Sequence, residues 1–100
     1  MANRWGIPHD VETAVIARDK SCVYCGVLFD NNSTISKKTW EHIINDTALN
    51  GADNIALCCW SCNASKGSKI LKDWLQSPYC QQKNINKNTV ALVVKKHLEK

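Results

Sequence analysis

Two Cys-x2-Cys pairs, Cys22-Val23-Tyr24-Cys25 and Cys59-Trp60-Ser61-Cys62, constrain this chain more than any other feature. Each pair presents two thiolates from one tight turn. Two such turns brought together surround a tetrahedral centre with four sulfurs, the closed coordination that structural zinc takes. A closed site leaves no position for a substrate, so it holds the chain together and performs no chemistry. A domain of 100 residues profits from such a staple, because its core is modest. Cys58 adjoins Cys59, but only Cys59 has the two-residue spacing to Cys62. Cys58 and Cys80 therefore read as unliganded thiols.

The compartment follows from the same cysteines. Met1 to Gly6 contains no apolar run, so no signal peptide is expected. Six cysteines without an export signal indicate metal in a reducing, cytoplasmic setting, not disulfides. No stretch approaches the ~20 apolar residues that span a bilayer, which excludes a membrane helix. An apolar content of 44% is that of a folded domain, not a disordered chain.

Charge is unevenly distributed. Residues 1–65 carry five Lys/Arg against seven Asp/Glu, whereas residues 66–100 carry eight Lys against Asp73 and Glu99. The resulting net of −2 in the first part and +6 in the second gives the second the footprint of a polyanion-binding face. A Lys-rich helical segment is equally a solvated surface, so the charge alone does not decide.

The spacing of apolar residues predicts a helix from Pro8 to about Asp19, with Val11, Ala14, Val15 and Arg18 on one stripe. Cys22 to Gly26 forms a knuckle. Thr39–Ile44 and Asn54–Cys59 read as strands, separated by turn material at 50–53. From Cys62 the spacing is helical, with Leu71, Trp74 and Leu75 on one face before Pro78 closes the segment. A last helix starts near Asn88 or Thr89 and aligns Val90, Val93, Val94, His97 and Leu98. Trp40, Trp60 and Trp74 are expected in the core or against the metal site, and His9 and His97 as surface or packing residues. The fold class is α+β in one domain, with a core at about 22–67 and a basic helical part at 68–100.

The order strand, loop, strand, helix, together with Cys22-x2-Cys25, Glu41-His42-Ile43-Ile44, Asn54-Ile55-Ala56-Leu57 and Cys59-x2-Cys62-Asn63-Ala64-Ser65-Lys66-Gly67, resembles the HNH nuclease family. The resemblance spans residues 22–67. It implies a small ββα-metal core with a zinc-ribbon-like staple of four cysteines, flanked by helices. It also implies a metal-dependent endonuclease that hydrolyses DNA phosphodiester bonds. On that reading His42 is the general base that activates water, since a neutral imidazole with an ordinary pKa of ~6.5 suits the task. Glu41 and Asn63 hold a hard divalent cation, Mg²⁺ or Mn²⁺, which suits oxygen donors and stabilises the phosphate and the departing oxygen. Asn54 holds the loop between the strands and so aims His42. Lys66 and Lys69 are candidate phosphate contacts. Neighbouring strand residues point to opposite faces, so Glu41 and His42 converge only if His42 lies at a strand end.

One active site per chain makes a double-strand break depend on a homodimer or on two sequential nicks. Two other classes fit parts of the pattern. A non-catalytic zinc-ribbon module that binds nucleic acid would have no need of Glu41, His42 and Asn63 together. A thiol redox protein would rest on the Cys-x2-Cys pairs alone, without the βαβ setting such motifs have.

Overall fold

A two-stranded antiparallel sheet, covered on both faces, organises the computed structural model, which describes residues 6–46 and 49–99. The leader region read above lies outside the described residues as far as Trp5. Strand β1 (Lys38–His42) pairs with β2 (Ile55–Cys59) in the register Lys38↔Cys59, Thr39↔Cys58, Trp40↔Leu57, Glu41↔Ala56 and His42↔Ile55. Helix α1 (His9–Arg18) precedes the sheet. Helix α2 (Trp60–Lys66) follows β2 without a break, and the short helices α3 (Leu71–Trp74), α4 (Pro78–Lys83) and α5 (Leu92–Leu98) complete the chain. The α+β class and the strand–loop–strand–helix order are thus as the sequence indicates.

β1 stops at His42, two residues short of the expected Ile44, for a local reason. Ile43 donates its backbone N–H to the Asn54 carbonyl at 2.9 Å, but the next amide, Ile44, donates to the Asn54 side-chain oxygen at 2.8 Å. A side chain has replaced the backbone acceptor that a longer ladder would need, and the chain turns away.

All of β2 is buried, because both faces and both edges are covered. Ile55 and Leu57 pack with Ile7 and Val15, and Trp40 lies partly buried against them. Ala56 and Cys58 face a larger core of Tyr24, Trp74, Val90 and Val94, among others. The edge of β2 away from β1 is closed by side chains and by the first knuckle. Asp19 Oδ2 accepts from Leu57 N at 3.0 Å, and Val23 N donates to the Leu57 carbonyl at 3.2 Å. Arg18 clasps Asp19 with Nε–Oδ1 at 2.7 Å and donates to the Ile55 carbonyl at 2.8 Å and the Ala52 carbonyl at 2.7 Å. No bare strand edge is left on that side to pair with another chain.

Several local expectations are corrected by tertiary contacts. α1 buries Glu12 and Val15, whereas Ala14, expected on the apolar stripe, is exposed. The helical run after Cys62 is two helices, because α2 starts at Trp60 and ends at Gly67, whose φ of 51° favours a residue without Cβ. Pro78 opens a helix instead of closing one. It sits in the first turn of α4 behind Ser77, whose hydroxyl accepts from Cys80 N at 3.4 Å, the combination that favours a helix start. α5 begins at Leu92, later than Asn88 or Thr89. The Asn86 carboxamide takes the Asn88 amide and the Thr89 hydroxyl takes the Asn86 amide, both at 2.9 Å, and these local turns compete with a helix. Trp74 is fully buried, edge-on to Tyr24 at 4.9 Å between ring centroids. Trp60, expected in the core, is 41% exposed because it lies on the outer side of the first turn of α2. No described helix is long and apolar enough to cross a membrane.

The Asp19 clasp makes a direct test of this architecture. Asp19→Ala leaves the buried Leu57 N–H without its acceptor, which costs about 1–3 kcal/mol. Urea unfolding should show that loss, and Asp19→Asn, which keeps a side-chain oxygen, should lose less.

Candidate metal centre and the polar residues around it

The first Cys-x2-Cys pair is shaped by its own backbone. Cys22 N donates to the Val27 carbonyl and Gly26 N to the Cys22 carbonyl, both at 3.0 Å, and Ser21 bridges to Leu28. Gly26 takes a φ of 80°, so the turn requires a residue free of Cβ strain. The second pair stands at the junction of strand and helix. Cys59 is both the last residue of β2 and the N-cap of α2, and its sulfur accepts from Cys62 N at 3.4 Å. The carbonyls of Lys37 and Ile35 take the amides of Trp60 and Ser61, both at 3.0 Å, which satisfies the start of α2.

The four sulfurs converge within 4.8 Å of one another, with Cys22, Cys59 and Cys62 buried and Cys25 partly so. The Cys25–Cys59 separation of 3.7 Å matches a tetrahedron edge of about 3.8 Å implied by metal–sulfur bonds of ~2.3 Å. These four residues are positioned to hold a metal ion. As bare thiols they titrate unequally. Cys22 pulls Cys25 well below the ordinary thiol range and pushes Cys59 and Cys62 well above it. A divalent cation would resolve that conflict, since all four could bind it as thiolates. Cys58 and Cys80 stand outside the cluster, and burial pushes both thiols up, toward the neutral form. One unforeseen neighbour is Tyr79, whose hydroxyl donates to Cys62 Sγ at 3.3 Å and meets Ser61 Oγ at 2.8 Å. Its position in a separate helix leaves no trace in local spacing.

The polar candidates divide between the two faces of the sheet. α2 covers the face of β1 that carries Thr39 and Glu41. Asn63 Nδ2 donates to Thr39 Oγ1 at 3.1 Å and to the Trp40 carbonyl at 3.0 Å. Its own carbonyl oxygen is left without a protein partner among the described residues. Glu41 is buried, and its Oε2 accepts from Tyr24 Oη at 2.7 Å and lies 3.1 Å from Lys66 Nζ. Burial pushes the Glu41 carboxyl up, against the opposing pull of the Lys66 charge and the Tyr24 hydrogen bond.

Lys66 corrects an expectation. It is 0% exposed, so it is no surface contact for phosphate; its ammonium lies under β1 as the counter-charge of Glu41. The pair is close, yet no well-directed hydrogen bond from Lys66 Nζ accompanies it. Burial of a lysine depends on what packs over the helix, which residue order does not reveal. Lys69, by contrast, is exposed, with Nζ donating to the Ser65 carbonyl at 3.1 Å.

His42 occupies the last position of β1, on the face opposite Glu41. Its Nε2 lies 2.8 Å from Asn50 Oδ1. The contact ties the imidazole to the loop through Asn50. In the sequence Asn50 reads only as a turn residue before Gly51. Asn54 is buried and spans the loop, accepting from Ile44 N and donating to the carbonyls of Ile44 and Leu49, both at 3.1 Å. It thereby fixes the segment that follows His42 and the one that carries Asn50. Glu41 and Asn63 thus share a face at α2, and His42 lies across the strand from them. A hard cation at Asn63 Oδ1 and Glu41 would meet the Lys66 ammonium as a competitor for Glu41 Oε2.

No family model, curated protein or solved structure matches the chain.

The ion pair under β1 has a measurable signature. Glu41→Leu strands the Lys66 ammonium in the core, at a cost of about 3–5 kcal/mol. Adding Lys66→Met should restore most of that stability, and a double-mutant cycle in urea measures the coupling.

Proposed function

We propose that this chain is a small metal-dependent endonuclease of the HNH kind, hydrolysing DNA phosphodiester bonds on a zinc-stapled ββα scaffold. The observation that carries the reading is the placement of His42. It closes β1, its ring is oriented through Asn50, and the loop beside it is clamped by Asn54. The sequence resemblance over residues 22–67 supports the same reading, as does the excess of lysine in residues 66–100.

The four sulfurs hold zinc as a closed structural site. Their metal joins the knuckle at 22–25 to the junction of β2 and α2, and so sets α2 against β1. Hydrolysis then begins with a water beside His42. The imidazole takes its proton, the oxygen attacks phosphorus, the P–O3′ bond breaks, and the departing oxygen receives a proton from solvent. Asn63 Oδ1 and Glu41 would hold Mg²⁺ or Mn²⁺, which would supply positive charge to the phosphate and the leaving oxygen once Glu41 exchanged Lys66 for the cation and the site opened to the strand end at His42. Tyr24 and Lys66 fix the direction of the Glu41 carboxylate. Asn54 and Asn50 keep the loop and the imidazole in register with the strand end.

A non-catalytic nucleic-acid-binding zinc module is the second reading. The engagement of Glu41 with Lys66 and Tyr24 favours it, because that carboxylate then serves the core. Supercoiled plasmid incubated with the zinc-loaded chain and Mg²⁺ or Mn²⁺ separates the two. The nuclease yields relaxed and linear forms, and His42→Ala lowers the rate by about 10²–10⁴-fold with zinc content and melting temperature kept. A wild type that leaves the plasmid supercoiled under these conditions makes the binding module the correct description.

A further inference from the structure

Three clefts meet edge to edge on one side of the molecule. The first, about 360 Å³, opens at the loop beside His42 and is lined by Asn50, Asn54, Ile44 and His97. The second, about 520 Å³, shares Ile44 and His97 with the first and continues over Lys69, Ile70 and Lys72. The third, about 420 Å³, shares Lys72 and Leu98 with the second and ends at Asn86 and Lys87. Adjacent clefts share lining residues, so they form a row, a channel whose nearest approach to His42 is Asn50, which bonds the His42 ring, while His42 itself is buried and lines none of them.

Its lining has a definite chemistry. Lys69, Lys72 and Lys87 are exposed along it, and Asp53, at the end near Asn50, is its one carboxylate among the described residues. Between the lysines the floor is aliphatic, with Ile70 70% and Ile44 46% exposed to solvent. No Phe, Tyr or Trp among the described residues lines the channel, and His97 is its one ring. Cationic rims over an aliphatic floor suit a sugar–phosphate strand, whose phosphates are anionic and whose deoxyriboses are apolar. The choice of DNA over RNA comes from the nuclease reading, since Asn45, Ser68, Gln76 and Asn86 on the walls could also bond a ribose 2′-hydroxyl.

We infer that this channel is the track of one strand of duplex DNA, with phosphates on Lys69, Lys72 and Lys87 and the strand led toward His42. The inference deepens the nuclease reading and rests on it for the location of the chemistry. The molecule measures 35 Å across its longest axes, enough for about ten base-pair steps of ~3.4 Å, so a duplex of about 20 base pairs exceeds the footprint.

The test measures binding, not cleavage. The zinc-loaded full chain carrying His42→Ala, which leaves DNA intact, is titrated against such a duplex by fluorescence anisotropy over a range of salt. Lys69→Ala, Lys72→Ala and Lys87→Ala should each flatten the log–log salt dependence by about 0.9, one phosphate contact apiece. Lys20→Ala and Lys37→Ala, which lie outside the channel, should leave it unchanged. Unaltered zinc content and melting temperature in every variant exclude unfolding as the cause. If the Lys20 and Lys37 variants change the slope and the channel variants do not, the track is wrong and the nuclease reading survives. If duplex RNA of the same sequence binds as tightly with the same losses, the assignment to DNA is wrong. A chain that binds no duplex at low salt and cuts no plasmid removes both the track and the nuclease reading.

Discussion

The convergence of four sulfurs is the constraint on which the rest of this structure depends. Cys22 and Cys25 come from an isolated turn, and Cys59 and Cys62 from the point where a strand becomes a helix. The helices after α2 are short, the sheet has two strands, and Cys22, Cys59 and Cys62 themselves form part of the main core. A metal bound there would replace apolar contacts that a larger domain supplies, and its binding free energy would be folding free energy. The consequence reaches beyond the cluster. Fixing Cys59 against Cys62 sets the first turn of α2, which brings Asn63 over Thr39 and Trp40 and Lys66 beneath Glu41.

Below β1 the core holds a buried ion pair. A lysine and a glutamate, both almost wholly buried, face each other beside a tyrosine hydroxyl. Such pairs seldom increase stability over an apolar replacement, because both charges have left water. Their value lies in specificity of position: the carboxylate of Glu41 is held between Tyr24 of the knuckle and Lys66 of α2. In the proposed enzyme the same carboxylate serves a divalent cation, so Lys66 is its counter-charge and its competitor. Across the strand, Asn50 bonds the His42 ring and Asn54 clamps the loop on either side of it. The two halves of the proposed chemistry are thus positioned by different means, one by charge and one by a clamped loop.

What was legible in the sequence follows from how local each signal is. The four ligands could be read from spacing alone, because each Cys-x2-Cys turn is complete within a few residues. The strand order was legible because apolar runs and turn residues alternate there, whereas the loop-spanning role of Asn54 came only from the family resemblance. Lys66 was not, since a charged residue on a basic helix looks solvent-facing until α2 is laid on β1. Glu12 took a buried place expected for Ala14 for a related reason: packing, not hydropathy, chose the face. Pro78 carries opposite meanings at either end of a helix, and the cap at Ser77 decided between them. Tyr24, Tyr79 and Asn50 acquire their roles only through contacts between elements.

X-ray absorption at the zinc edge of the purified chain tests the central claim most directly. The account predicts four sulfur neighbours at about 2.3 Å with no nitrogen or oxygen in the shell. It also predicts an unchanged spectrum when Cys58 and Cys80 are both replaced by serine. A shell with fewer than four sulfurs, or a folded chain that holds no metal and melts at the same temperature, would contradict it.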